Sequence, residues 1–512
     1  MAETGDWVTP RLYGKPWFEK PPLFYWGAAL SFKLFGISEA AARLPSAISA
    51  LLATLALAWL ALRLYGAEAA RWLLLLLPTT VGMIGFSHAA ATDMPFSGML
   101  TIAMVCAAVV LGLARNEHTP ILPRTPWLAL LLFGFFLGLA VLAKGPAAII
   151  LSGGAIFFWA LFTKRWRDAL RLLHPIALAS FCLTALPWYI LCARRNPDFF
   201  RIFIIEHNFK RYLTSEFQHT QPLWYYGGIV AVGLVPWTFQ LVVKFLLPDR
   251  ALGKQPTRDP KSFFFWTWIL FTVVFFTLSW SKLPGYILPA IPPLVLLLLP
   301  STKSAPHSER DRRLENLGFT LTAAAFCIWP IAHSFYVSWI NRQIPQTLSA
   351  VRIPPDFIFL LRLIGCIGLL MVGICGFRKR FDALLIVTAI LTVVLLDGTE
   401  RTLLPWEEKI ISTRQFAQTI VQSTRPNLGV YSFKLDRSLQ YGLEYYLHKP
   451  LVEWNPNLPT PGYILYSEKA SNELRWGEVG LVSIQMEGFP GTGICLKQET
   501  LSDAPPDGGQ PH

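Results

Sequence analysis

Few side chains in this sequence could do chemistry, and they sit at the junctions between apolar runs. Glu19 and Lys20 stand together just before Pro21-Pro22. Asp93 lies in Ala91-Thr92-Asp93-Met94-Pro95, Lys144 precedes Gly145-Pro146, and Glu206 is followed by His207. Ser281-Lys282-Leu283-Pro284-Gly285-Tyr286 brings an ammonium and a phenol into one short stretch. Carboxylates and imidazoles can move a proton, and ammonium and phenolic groups can hold an anion. Ionisable groups at membrane depth are costly and usually face a cavity or a substrate. Each residue taken alone is equally well explained by snorkelling to the interface or by capping, as Asp93 could cap a helix beginning at Met94. Several on one face favour a site.

Composition says what kind of element must hold them. The 512 residues are 53% hydrophobic and 15% charged, with a mean hydropathy of +0.42. A soluble domain carries charge on about a quarter of its residues, so too little polar surface is available to wet a soluble globule of this size. Disordered, collagen-like and disulfide-scaffold classes fall for the same reason. The chain reads as a polytopic all-α membrane protein. Runs able to cross about 30 Å of hydrocarbon occur near 44–62, 72–91, 96–114, 126–142, 146–162, 173–193, 223–243, 262–280, 285–300, 316–338, 357–376 and 383–398, which is twelve.

The net charge of +13 then reads as basic cytoplasmic loops, and no nucleic-acid partner is expected. Loops near 63–71, 115–124, 164–171, 244–261, 303–313 and 378–380 hold twenty Lys and Arg, against nine in the alternating set. The first set is assigned to the cytoplasm, which puts both termini and the chemistry-bearing junctions outside. Six of the seven cysteines lie in or beside apolar runs, where a thiol is a small hydrophobe, and Cys495 is alone near the C-terminus. No disulfide is expected.

Four regions follow. Residues 1–43 are too aromatic for a solvated tail and too interrupted for a span, so they are read as loop and helix on the outer surface. Residues 44–398 form the transmembrane domain. Residues 399–501 read as a small extracytoplasmic α/β domain, with strands at Leu428–Phe433, Tyr463–Tyr466 and Leu481–Met486 and a helix near Asp436–Leu447. The Pro/Gly-rich tail 502–512 is expected to be disordered.

With Gly5-Asp6-Trp7 and Glu19-Lys20-Pro21-Pro22-Leu23-Phe24-Tyr25-Trp26, the set includes Ala91-Thr92-Asp93, Lys144-Gly145-Pro146 and Glu206-His207 with Arg211. Pro222-Leu223-Trp224-Tyr225-Tyr226 and Ser281-Lys282-Leu283-Pro284-Gly285-Tyr286-Ile287-Leu288-Pro289 complete it. In these motifs, and over nearly its whole length, the sequence resembles the bacterial aminoarabinose transferases and protein-mannosyltransferase-like glycosyltransferases of GT-C architecture. The resemblance implies transfer of a sugar from a polyprenyl-phosphate donor at the outer face of the inner membrane. The acceptor would be lipid A or another envelope glycolipid. It implies that Lys20 and Tyr286 bind the donor phosphate, with Lys282 nearby, and that Asp93 belongs to the catalytic centre. Glu19 and His207 align with a pair that can hold a divalent metal such as zinc, although zinc usually takes three or four protein ligands.

One departure stands out. In that family an Asp, usually Asp-Glu, precedes the Gly-Asp-Trp motif after a first transmembrane helix, and it is the expected base. Here the sequence starts Met1-Ala2-Glu3-Thr4-Gly5-Asp6, and neither Glu3 nor Asp6 holds that position. The expectation is that the functional protein extends upstream by an apolar helix and an Asp-Glu pair; the alternative is a shortened, non-catalytic paralogue. A rival from another class is a lipid-linked-sugar transporter without chemistry. It would spread polar residues through the spans toward both faces, whereas here they crowd toward one.

The topology has a direct test. Asp93→Cys and His207→Cys are expected to react with a membrane-impermeant maleimide in intact spheroplasts, and Arg312→Cys only after lysis. The reverse pattern would overturn the assignment of loops by charge.

Overall fold

Most of the apolar runs fold as helices, since in hydrocarbon a helix satisfies its backbone groups within one segment. The computed structural model describes all residues except 13, 115–125, 211–220, 242–258, 300–308, 344–351, 379, 407–411, 424–428, 456–461, 468–480, 486–491 and 498–512. Among the described residues, eight helices are long and apolar enough to cross a membrane, or nine if one bent pair counts as a span. The chain is a multi-span membrane protein. The tail 502–512, Arg211 and much of the basic loops 244–261 and 303–313 lie outside the described residues.

Four of the twelve expected runs depart from a full span. Ala147–Thr163 is helical but has only 17 residues. The run at 72–91 is two helices, Ala67–Leu76 and Val81–Ser87, bent by 62°. Pro78 falls in the break, and the freed groups find partners: Trp237 Nε1 donates to the Leu76 carbonyl at 3.0 Å and to Thr79 Oγ1 at 3.2 Å. The run at 223–243 is helical at Tyr225–Gly233 and breaks before Pro236, its end lying outside the described residues. The run at 285–300 starts as a 3-10 helix, Pro284–Ala290, and becomes α-helical only at Ile291–Leu298. Pro284, Pro289, Pro292 and Pro293 each lack the amide that a regular helix uses.

The chain divides into two compact units, Met1–Trp329 with Gly365–Val393, and Pro330–Ile364 with Val394–His512. At the centre of the first unit is the helix Asp93–Val110, in which every residue from Met94 onward is buried. It packs on Glu39–Tyr65, on Trp127–Lys144 and on the 3-10 turn at Pro284–Ala290. At the periphery, Pro175–Arg195 exposes Leu178, Leu183, Leu186 and Ile190, the side chains of a lipid-facing stripe. The helix Trp127–Lys144 meets it through Gly134 and Gly138, spaced as small residues are where membrane helices approach closely. A Cβ on Gly134 would run into the Ala177 carbonyl, and one on Gly138 would lie 2.8 Å from Thr184 Cβ.

The first 35 residues form a β-ribbon turn, Arg11–Leu12 against Lys15–Pro16, and the helix Leu23–Phe35. In the second unit a five-stranded sheet runs in the order Val452–Glu453, Gly429–Phe433, Gly462–Ser467, Thr492–Lys497, Leu481–Gln485. The first three strands are parallel, and Thr492–Lys497 is antiparallel to both its neighbours. A parallel pair needs a crossover; the helix Arg437–Leu447 supplies it between Gly429–Phe433 and Val452–Glu453. Leu443 packs with Phe416 and Ile420 of the helix Thr413–Ser423 and with Val430 and Leu465 of the sheet.

Gly134→Val and Gly138→Val are expected to destabilise the protein by about 1–3 kcal/mol each, the scale of overpacking. Thermal melting in detergent, followed by size exclusion, measures this. Wild-type melting in both variants would show that the two helices do not approach at these glycines.

Candidate functional site

Two helix ends create the site. Gly145, at φ 86°, stops the helix Trp127–Lys144, and its N–H donates to the Val141 carbonyl at 2.8 Å. Pro146 then starts the next helix. Lys144 is thereby left as the last helical residue. Asp93 is the first residue of its own helix, and Lys144 Nζ lies 2.5 Å from its Oδ1. Asp93 therefore does more than cap: no capping bond is made by Thr92 before it, and its carboxylate is paired with an ammonium 51 residues away.

The turn around Gly285 closes over this pair. A Cβ at Gly285 would overlap the Asp93 carboxylate, so glycine is required by space. Tyr286 lays its ring 4.4 Å from Lys144 Nζ, with Phe96 at 5.5 Å on another side, each a cation–π contact. Phe276 backs the Tyr286 ring at 5.1 Å. Tyr226 donates its hydroxyl to the Leu283 carbonyl at 3.2 Å, which fixes the turn from the side. Lys282 is only 7% exposed, and among the described residues no ion pair to it is found. The hydroxyl of its neighbour Ser281 is also buried without a partner.

Lys20, on the N-terminal segment, lies near enough for its charge to act on Asp93. Phe18 holds this segment in place: it packs edge-on to Phe199 at 5.3 Å, and Phe199 stacks on Phe203 at 5.5 Å. Trp188 and Leu142 belong to the same cluster. Indole donors reinforce it, Trp188 Nε1 to the Val8 carbonyl at 2.8 Å and Trp26 Nε1 to the Trp7 carbonyl at 2.7 Å. Asp6 accepts from the Val8 and Thr9 amides and pairs with Arg195 at 3.3 Å and Arg11 at 3.7 Å. Burial pushes the Asp6 carboxyl up, but the amides of Thr9 and Val8 and the charges of Arg195 and Arg11 outweigh it and hold its pKa below the usual 3.8. It is ionised at neutral pH, and its contribution is lost only as pH falls through that lowered value.

The sequence-derived residues thus divide. Lys20, Asp93 and Tyr286 come together, and Lys282 is buried on the same turn as Tyr286. Glu19 is half-buried beside Lys20. His207 lies on the segment Arg201–Lys210, which coils as a π-helix where an open loop is expected; its side chain is outside the described residues. That segment is anchored through Phe203 in the aromatic cluster that holds Phe18, and Glu206 pairs with Arg201 at 2.8 Å. Among the described residues no group of three or more His, Cys, Asp or Glu is placed to hold a metal. Lys144 stands among the junction residues that sequence singles out, but sequence reasoning gave it no specific partner or function. Its signal was present, a lysine at the end of a fully apolar helix followed by Gly-Pro, but its partner is far away in sequence.

Comparison with known proteins agrees with this architecture. Residues 1–203 match the family described as dolichyl-phosphate-mannose-protein mannosyltransferase. The undecaprenyl phosphate-alpha-4-amino-4-deoxy-L-arabinose arabinosyl transferase of Erwinia tasmaniensis is 30% identical over 345 residues, 65% of this chain and 60% of that protein. The protein of the same description from Yersinia enterocolitica is 31% identical over 301 residues, 58% of this chain and 52% of that protein. The matches therefore span less than two thirds of these relatives' own length. The crystal structure of ArnT from Cupriavidus metallidurans bound to undecaprenyl phosphate superposes with a TM-score of 0.76 at 22% identity, over 99% of this chain and 93% of that one. This chain has that fold.

Removing one partner of a buried pair strands the other charge. Lys144→Met is expected to destabilise the protein by about 3 kcal/mol, and Lys144→Met with Asp93→Asn by clearly less. Melting curves of the two single variants and the double variant read the coupling. Additive losses would mean the two groups do not act as a pair.

Proposed function

We propose that this chain is a membrane glycosyltransferase of the aminoarabinose-transferase type, which moves a sugar from a polyprenyl-phosphate donor to a lipid acceptor at the outer face of a bacterial inner membrane. The observation that carries this reading is the gathering of Lys20 and Lys144 around one carboxylate, beneath a turn that presents Tyr286 and the buried Lys282. Lys282 is buried with no ion pair among the described residues, and a buried ammonium is costly unless an anion joins it. The relatives are named for a donor whose sugar is carried on undecaprenyl phosphate, and a phosphate-linked pentose suits these cations. Lipid A or a similar envelope glycolipid is the acceptor this reading favours.

In the reaction the bond between the sugar's anomeric carbon and the donor phosphate oxygen breaks. The acceptor hydroxyl oxygen bonds to that carbon, its proton passes to a base, and polyprenyl phosphate leaves with an added negative charge. Lys20, Lys282 and the Tyr286 hydroxyl hold the leaving phosphate, where fixed donors count most because charge develops there. Asp93, paired with Lys144, is a positioning residue: it orients the ammonium and fixes the turn at Gly285. Were a divalent cation such as zinc to bind, Glu19 and His207 are the residues the resemblance offers to hold it, and it would supply positive charge to the leaving phosphate.

The test is transfer of label from a polyprenyl-phosphate sugar to envelope lipids by membranes containing this protein. Lys20→Ala and Tyr286→Phe are expected to lower kcat by roughly a hundredfold each, the scale of one lost transition-state donor, with expression unchanged. Wild-type turnover in both would refute the phosphate assignment. Movement of intact donor across vesicles with no transfer to any fraction would favour a transporter.

A further inference from the structure

In the second unit, the C-terminal part of the helix Glu309–Gln343 and the N-terminal part of Pro355–Phe377 are clasped together. Asn341 donates its side-chain amide to the Ile353 carbonyl at 2.8 Å and accepts from the Ile353 N–H at 3.0 Å. Two turns into the second helix, Arg362 leans back toward this junction. Its Nε donates to Ser334 Oγ at 3.2 Å and its Nη2 to Ser338 Oγ at 3.1 Å, while the guanidinium covers the Phe335 ring at 4.9 Å. Every one of these partners is neutral. Arg362 is exposed, and among the described residues no carboxylate pairs with it. Asp356, the acid on its own helix, is six residues away and exposed.

Around it the surface is that of a membrane interface. Phe335, Tyr336, Trp339 and Phe359 are all more than half exposed, and Tyr336 stacks on Trp339 at 6.2 Å. Tyrosine and tryptophan settle at the headgroup level of a bilayer. Arg342, one turn beyond Ser338, is exposed as well. A guanidinium facing lipid with only hydroxyls and a ring for partners carries an uncompensated charge, which is costly there. Two of its five N–H donors are used by the serines, which hold the fork in one orientation, and three remain. At belt level on a lipid-facing surface, the anion within reach is a lipid phosphate.

We infer that Arg362, with Arg342, binds the headgroup of an anionic glycerophospholipid. An anionic lipid is favoured over a zwitterionic one because two arginines face it and a zwitterion brings its own ammonium. The serines and Phe335 orient the guanidinium, so the site is built before the lipid arrives.

Native mass spectrometry of the delipidated full chain, titrated with equal phosphatidylglycerol and phosphatidylethanolamine, tests this. The wild type is expected to retain phosphatidylglycerol in preference. Arg362→Gln is expected to lose about fivefold of that retention, the scale of one basic side chain near a membrane surface, with phosphatidylethanolamine unchanged. Arg342→Gln, at an exposed position, carries the same expectation should the first variant fail to fold. Such a selective loss in either variant supports the site. An unchanged preference in the variants that fold, or equal loss of both lipids, overturns it.

Discussion

The ion pair between Asp93 and Lys144 is the interaction on which the candidate site depends. It joins the N-terminal end of one spanning helix to the C-terminal end of its neighbour, so each charge also faces the favourable end of its own helix dipole. Neither side chain is well solvated, at 21% and 8% exposure, and a charge left alone there would be costly. Pairing sets the relative height of the two helices. It also dictates the sequence of the turn above, where only glycine fits at 285 and an aromatic ring at 286 covers the ammonium.

A second constraint brings Lys20 to that pair. Among the described residues the N-terminal segment has no helix that meets the length for a span, its apolar helix Leu23–Phe35 being shorter. It is held by aromatic packing and by indole and carboxylate hydrogen bonds, with Phe18 as the plug and Asp6 as the clamp. Because Phe18 shares its pocket with Phe199 and Phe203, the segment carrying Glu19 and Lys20 and the segment carrying Glu206 and His207 are anchored in one cluster. Rings in that cluster are spaced for edge-on and stacked contact, which fixes direction as well as proximity.

Hydropathy made most of the helices legible, because length and apolarity are what a bilayer demands. It failed where proline intervened. At 72–91 and 285–300 the residues are apolar enough to cross, yet Pro78 and the prolines from 284 to 293 remove the amides that a straight helix needs. At 201–210 the opposite happened: a charged stretch read as a loop coils, because Phe203, flanked by Ile202 and Ile204, has a cluster to enter. In the C-terminal region, alternation located Gly429–Phe433, Gly462–Ser467 and Leu481–Gln485. Thr492–Lys497, with a glycine and a cysteine in its middle, carried no such signal, and strand order is a matter of pairing that local pattern does not encode. The site residues were visible as polar groups in the wrong solvent. What sequence could not show is that Asp93 is matched to Lys144, since nothing local links residues 51 apart.

The charge balance of the site bears on the proposed reaction. Lys20, Lys144 and Lys282 set against Glu19 and Asp93 leave one net positive charge among the described residues named here. A sugar phosphodiester donor carries one negative charge, so the bound ground state is neutralised. As the glycosidic bond breaks, a second negative charge grows on the departing phosphate. Donors that strengthen with that growing charge lower the barrier, whereas those already satisfied by the donor's first charge only tighten binding. In the proposed reaction Asp93 keeps Lys144 engaged beside the phosphate site, so the charge that grows on the departing phosphate is met by Lys20, Lys282 and the Tyr286 hydroxyl.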